Sequence, residues 1–178
     1  MSLAPTDYDF GDASNYEFAE NVTCANDEAR KMFIEAYGHM LNYNHEQAIA
    51  CFTATTELDP NCAMAWWGIA YCVSSNYNWS PGLGSGYDPI QQALKVMDHC
   101  TELEQDLIRA LSTRHSAEAR DAADPTVLNM GNDPALNVAF AEAMAPLYEK
   151  YAGNLDVTAI YVEALMNLKA WQLWDKNT

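Results

Sequence analysis

The sequence predicts an all-helical protein built from helical hairpins stacked side by side. Three observations carry that fold class. Every apolar stretch recurs at helical spacing, and none alternates as a half-buried strand would. Gly, Pro, Asn and Asp breakers delimit about seven such stretches. The connections between them alternate, short then long, as consecutive hairpins require. With 178 residues, 49% of them apolar, the chain suffices for one sizeable core.

Residues 1–25 are rich in Asp, Asn, Ser and Tyr without periodicity, and read as an extended N-terminal arm that Phe10, Tyr16 and Phe18 tack onto the body. The helical domain spans 26–178. Its first helix starts near Asp27, which can cap it, and carries Ala29, Phe33, Ala36, Tyr37 and Met40 on one face. Asn42-Tyr43-Asn44 breaks it. A second helix, 45–58, turns Ala48, Ile49, Phe52 and Thr55 to one side, and Asp59-Pro60-Asn61 ends it. The third, 62–73, is nearly all apolar, as a central helix should be. Residues 74–88 form an irregular stretch with aromatics and Gly82, Gly84 and Gly86. A fourth helix runs 88–100 from Asp88-Pro89, and a fifth runs 101–114 from the capping box Thr101-x-x-Glu104. After a polar loop, 115–132, a sixth helix runs 134–151 with Pro146 inside it. Gly153-Asn154 separates it from a seventh, 156–168, striped by Ile160, Ala164, Leu165 and Leu168.

Charge excludes some functions. Nine Lys and Arg face 25 Asp and Glu, a formal net charge of −16. Such a chain repels a phosphate backbone and anionic lipid, so neither nucleic acid nor membrane is an expected partner. A solvated acidic surface explains the charge most simply; attraction to a basic partner is the sharper reading. Cys24, Cys51, Cys62, Cys72 and Cys100 are odd in number and lack a CxxC pair, and four lie in apolar helical stretches. Free thiols there behave as small hydrophobes, which favours a reducing, cytoplasmic setting. No apolar run approaches the length of a membrane span.

Ala48-x3-Phe52-x7-Pro60 has the small, aromatic and breaker residues of the second helix of a tetratricopeptide (TPR) repeat and its exit. Trp66-x2-Ile69-Ala70 follows in register as the opening helix of the next repeat, with Trp66 filling the space between hairpins. Upstream, Ile34-x2-Tyr37-Gly38-x2-Leu41 looks like the matching first helix. The resemblance is tight over residues 34–73 and loose beyond. The segments 44–49, 58–70 and 76–78, with the ending Ala164 to Leu168, Trp171 and Leu173 to Asp175, resemble the N-terminal region of uncharacterised bacterial and fungal TPR proteins. That resemblance implies a TPR-like α-α superhelix and no established activity.

Several constellations suggest chemistry, each against a plainer structural reading. His39 and His45 flank the first turn and are the candidate metal ligands, yet a closed site needs further ligands to converge. His99-Cys100 with His115 is a weaker cluster. Cys51 or Cys62 beside His45 would make a nucleophile only with an orienting third group. Gly82-Leu83-Gly84-Ser85-Gly86 lacks the ending of a phosphate cradle and follows a helix, so the nucleotide fingerprint fails.

The leading expectation is a non-catalytic binding or scaffold module with no cofactor, whose concave surface holds a protein or peptide. His45, Trp67, Asn76, Tyr77, Asn78 and Trp79 are the expected contacts. The alternative is a small-molecule or metal-dependent activity at the His39/His45 turn beneath loop 76–87. The seventh helix has no partner helix after it, so Tyr161, Trp171 and Trp174 are the expected interface for a partner or a homo-oligomer.

Overall fold

Short polar side chains cap the N-termini of three of the longer helices, through Asn26, Thr101 and Asn154. The computed structural model describes residues 17–77, 85–121, 134–170 and 172–174, and no strand occurs among them. Nine α-helices are found among the described residues: α1 (Glu17–Glu20), α2 (Asp27–Leu41), α3 (His45–Leu58), α4 (Ala63–Val73), α5 (Tyr87–Val96), α6 (Glu102–Ser112), α7 (Ala117–Asp121), α8 (Pro134–Lys150) and α9 (Leu155–Asn167). Asn26, not Asp27, caps α2: its side chain accepts from the Ala29 amide at 2.9 Å. Asp27 and Glu28 then sit in the first turn, where the helix dipole favours negative charge. The Thr101/Glu104 capping box forms as expected. Gly153, at φ 89°, makes the left-handed turn into α9, which Asn154 caps. Three stretches differ from expectation. The arm's end coils into α1, and Phe18 is buried with its ring 5.5 Å from that of Tyr37. The 88–100 helix begins at Tyr87 and tightens into a 3₁₀ turn at Met97–His99. The polar loop after residue 115 contains the short α7.

Helix α4 is the centre of the core and packs against α2, α3, α5 and α6. Every residue of it except Trp66 is buried. Gly68 lets α3 approach closely, since a Cβ there would lie 2.4 Å from the Phe52 ring. Ala48 and Ala70 are fully buried, in keeping with close helix approach. The two tryptophans exchange the roles the repeat register assigns them. Trp67 is the buried one, its ring stacked on Tyr71 at 5.1 Å and its indole N–H donating to the Leu107 carbonyl of α6. Trp66, one residue and about 100° further round the helix, leans back and donates to the Pro60 carbonyl at 3.0 Å. The reason is that α4 has neighbours on nearly every side, and the stripe through Trp66 is the one left toward the α3–α4 turn.

Consecutive helices pack in chain order, α2 on α3, α3 on α4, α4 on α5, α5 on α6, α6 on α8 and α8 on α9. That order suits stacked hairpins. The last helix nevertheless reaches back to α2 and α4. The Tyr37 hydroxyl of α2 donates to Asp156 of α9 at 2.6 Å, and Tyr71 of α4 donates to Glu163 of α9 at 2.8 Å. At the N-terminal side, buried Glu104 accepts from both the amide and the hydroxyl of Thr23 and of Thr101, stapling the segment before α2 onto α6. No helix among the described residues is long and apolar enough to cross a membrane.

Candidate functional site

The tight turn between α2 and α3 holds a non-glycine residue in the left-handed region. Asn42 closes α2 with both its backbone and its side-chain amide on the Gly38 carbonyl, and the Asn44 amide reaches the His39 carbonyl at 2.9 Å. Tyr43, between them, has φ 59°. It is the one non-glycine residue in the left-handed region among the described residues. Asn or Gly would sit there with less strain.

That conformation delivers the Tyr43 ring to a cluster. The ring stacks on His45 at 5.8 Å and meets Tyr77 edge-on at 5.9 Å. Its hydroxyl points at Glu163 at 3.4 Å, on the same carboxylate oxygen that accepts from Tyr71. A cavity of about 240 Å³ opens beside this carboxylate, walled by Met40, Leu41, Tyr43, Tyr71, Ile160, Val162 and Met166 among others. Its walls are apolar and its charged group is Glu163. The volume suits one side chain or a small ligand better than a drug-sized molecule.

Burial pushes the Glu163 carboxyl above the usual carboxylate range, opposed by the tyrosine hydroxyls and the charge of Arg114. Burial, with the nearby Glu163, likewise raises the Tyr43 and Tyr71 hydroxyls, so both remain proton donors at neutral pH. Arg114 is buried below the site. It donates to Asn137 at 3.0 Å and to the Ser75 carbonyl, and lies 5.5 Å over the Phe140 ring. Burial, then Arg114, lowers His115 to about 3, and burial lowers His45 despite its bond to the Cys72 backbone. Both imidazoles are neutral at pH 7. The site is therefore an apolar pocket with a carboxylate held by two hydroxyls.

Of the expected contacts, His45 and Tyr77 come together here, with His45 buried behind Tyr43. Asn76 is half-buried at the adjoining end of α4. Trp67 is fully buried in the core and offers no surface to a ligand, a correction that follows from its swap with Trp66. Asn78, Trp79 and Trp171 lie outside the described residues. Tyr161 is half-buried and 5.3 Å from the Tyr148 ring, whereas Trp174 is 86% exposed.

The two candidate metal histidines do not share a ligand cluster. His39 groups with Glu35 and Cys51, their ligand atoms lying within 4.8 Å of one another. His45 is not in that group. Burial lowers His39 and, with the nearby Glu35, raises Cys51 to about 11. A second group, Cys24, Asp59 and Cys62, meets the same distance condition. His99 and His115 are separated, one lining a surface recess and the other bonded toward Ser74.

Sequence reasoning missed Tyr43, Tyr71, Arg114 and Glu163. Two signals were present. Glu163 interrupts the apolar stripe of Ile160 and Ala164, and Tyr43 occupies a turn between two asparagines that tolerate the left-handed region better. No family model, curated protein or solved structure matches the chain.

Proposed function

We propose that the protein is a non-catalytic binding module, TPR-like in its stacking of hairpins, that holds a basic protein or peptide by seating a Lys or Arg side chain over Glu163. The observation that carries this reading is Tyr43. A bulky aromatic kept in a left-handed turn costs about 1–2 kcal/mol, and such strain concentrates at ligand sites. Its position beside Tyr71, Met40, Met166 and a buried carboxylate gives an alkyl stem apolar walls and a cationic head an anionic floor. The formal charge of −16 adds attraction at longer range. Metal-dependent activity at the His39/His45 turn has less support, because those histidines sit in different clusters.

Calorimetry with a short Lys-containing peptide, against the same peptide carrying norleucine, tests the reading. The Lys peptide should bind at least about tenfold more tightly, a difference of roughly 1.4 kcal/mol. Glu163→Gln should erase that preference while changing stability by less than about 1 kcal/mol, since the amide still accepts from Tyr71 and the cost of a buried charge is removed. Equal affinity of the two peptides for the wild type would defeat the proposal. The pH dependence has a distinctive sign. The folded carboxyl holds its proton more tightly than the unfolded one, so this group's contribution to stability is lost as pH rises through its raised value. Binding runs the other way and is lost as pH falls through that same value.

A further inference from the structure

Away from the Glu163 pocket, three segments of the chain bring metal-binding side chains to or beside one recess. Cys24 comes from the linker before α2, Asp59 and Cys62 from the α3–α4 turn, and His99 from the 3₁₀ turn after α5. The Cys24 and Cys62 sulfurs are 3.2 Å apart, and both lie within 4.8 Å of an Asp59 carboxylate oxygen. Cys24, Asp59 and His99 line a recess of about 480 Å³ that opens to the surface.

We propose that Cys24, Asp59 and Cys62 form a structural zinc site, with His99, which lines the same recess but lies outside their 4.8 Å cluster, turning in as the fourth ligand. The donor set is two thiolates, an imidazole and a carboxylate, which suits a tetrahedral, borderline-soft ion and disfavours magnesium or calcium. Zinc–sulfur bonds of about 2.3 Å hold two tetrahedral thiolates roughly 3.8 Å apart, so the pair need open by only about half an ångström. The supporting contacts are in place. Asp59 already accepts from the Ala25 amide at 2.7 Å and the Asn61 amide at 3.0 Å, the outer hydrogen bonds that orient a ligating carboxylate. Thr23, next to Cys24, is fixed by its two bonds to Glu104. The recess supplies an entry path. On binding, both thiols lose their protons to solvent, two zinc–sulfur bonds replace the thiol–thiol hydrogen bond, and no oxidation is involved. The ion ties the segment before α2 to the α3–α4 turn and to the 3₁₀ turn before α6.

The test uses the full chain, kept reduced with a phosphine, stripped by chelator and titrated with cobalt(II) and then zinc(II). One equivalent of cobalt should give a sulfur-to-metal charge-transfer band that zinc bleaches stoichiometrically. Cys24→Ser should abolish the band, and His99→Ala should weaken binding at least about tenfold. Cys51→Ser, which removes the thiol of the Glu35–His39–Cys51 group, should leave the band intact. His99 is exposed, so its variant keeps the test valid should Cys24→Ser fold poorly. Absence of the band in folded wild type overturns the proposal. So does a band that survives Cys24→Ser, or one lost in Cys51→Ser.

Discussion

The helices α2 to α4 and the hairpin α8–α9 follow the same helical pattern but bury it to different degrees. In the first region Phe33, Phe52, Met64 and Trp67 are all fully buried, and Gly68 admits the Phe52 ring at a distance no Cβ could tolerate. In the second, Phe140, Met144, Val157, Ile160 and Ala164 are buried, yet Val138, Tyr148, Leu155, Val162, Leu165 and Leu168 remain exposed. A helix enclosed on all sides has its register fixed by packing. A helix covered on one side keeps an open face and is held as much by its polar ties, here Tyr37 to Asp156 and Tyr71 to Glu163.

Five substitutions break or sharpen that contrast. The largest effect is expected at Trp67→Ala, a loss of about 3–5 kcal/mol by chemical denaturation, with Trp66→Ala costing only about 1 kcal/mol. Equal losses would restore the repeat register that assigns Trp66 to the core. Gly68→Ala comes next, at about 1–3 kcal/mol, because Phe52 must leave its place between α3 and α4. A neutral result there would show that the first region is looser than its geometry. The smallest effect belongs to the outer face of the second region: Leu165→Ala and Trp174→Ser should each stay within about 0.5 kcal/mol of wild type. Sedimentation of Trp174→Ser beside the wild type then tells whether this exposed side chain mediates association between copies.

The helical periodicity of the first region was readable because it rests on local spacing. The Ala48, Phe52 and Ala70 positions are buried where the pattern puts them, and the Thr101/Glu104 box caps where it should. The choice between Trp66 and Trp67 was not readable. Adjacent residues on a helix enclosed nearly all round differ only in which neighbour they face, and that depends on α6, forty residues away. The candidate site was legible in part. His45 and Tyr77 were marked by their places at a turn and an aromatic loop. Glu163 was hidden because its meaning lies in Tyr71, 92 residues earlier in the chain. The metal-binding cluster was hidden for a related reason: its ligands come from separate turns, so no short motif announces them.

The reach of α9 back to α2 and α4 has a kinetic consequence. A row of hairpins that touch only their neighbours can begin folding anywhere and zip outward, with short loops to close. Here hydrogen bonds join residues 119 and 92 positions apart, so the search that brings α9 home must close a loop spanning most of the chain. Such closure is slow relative to local helix pairing, and its entropy is repaid only once the intervening helices have shortened the path. This topology predicts that α2–α4 fold early as a platform and the α8–α9 hairpin docks last, an order that mutational folding kinetics would check. In that order the Glu163 pocket, which draws its walls from both, comes into being only at the final step.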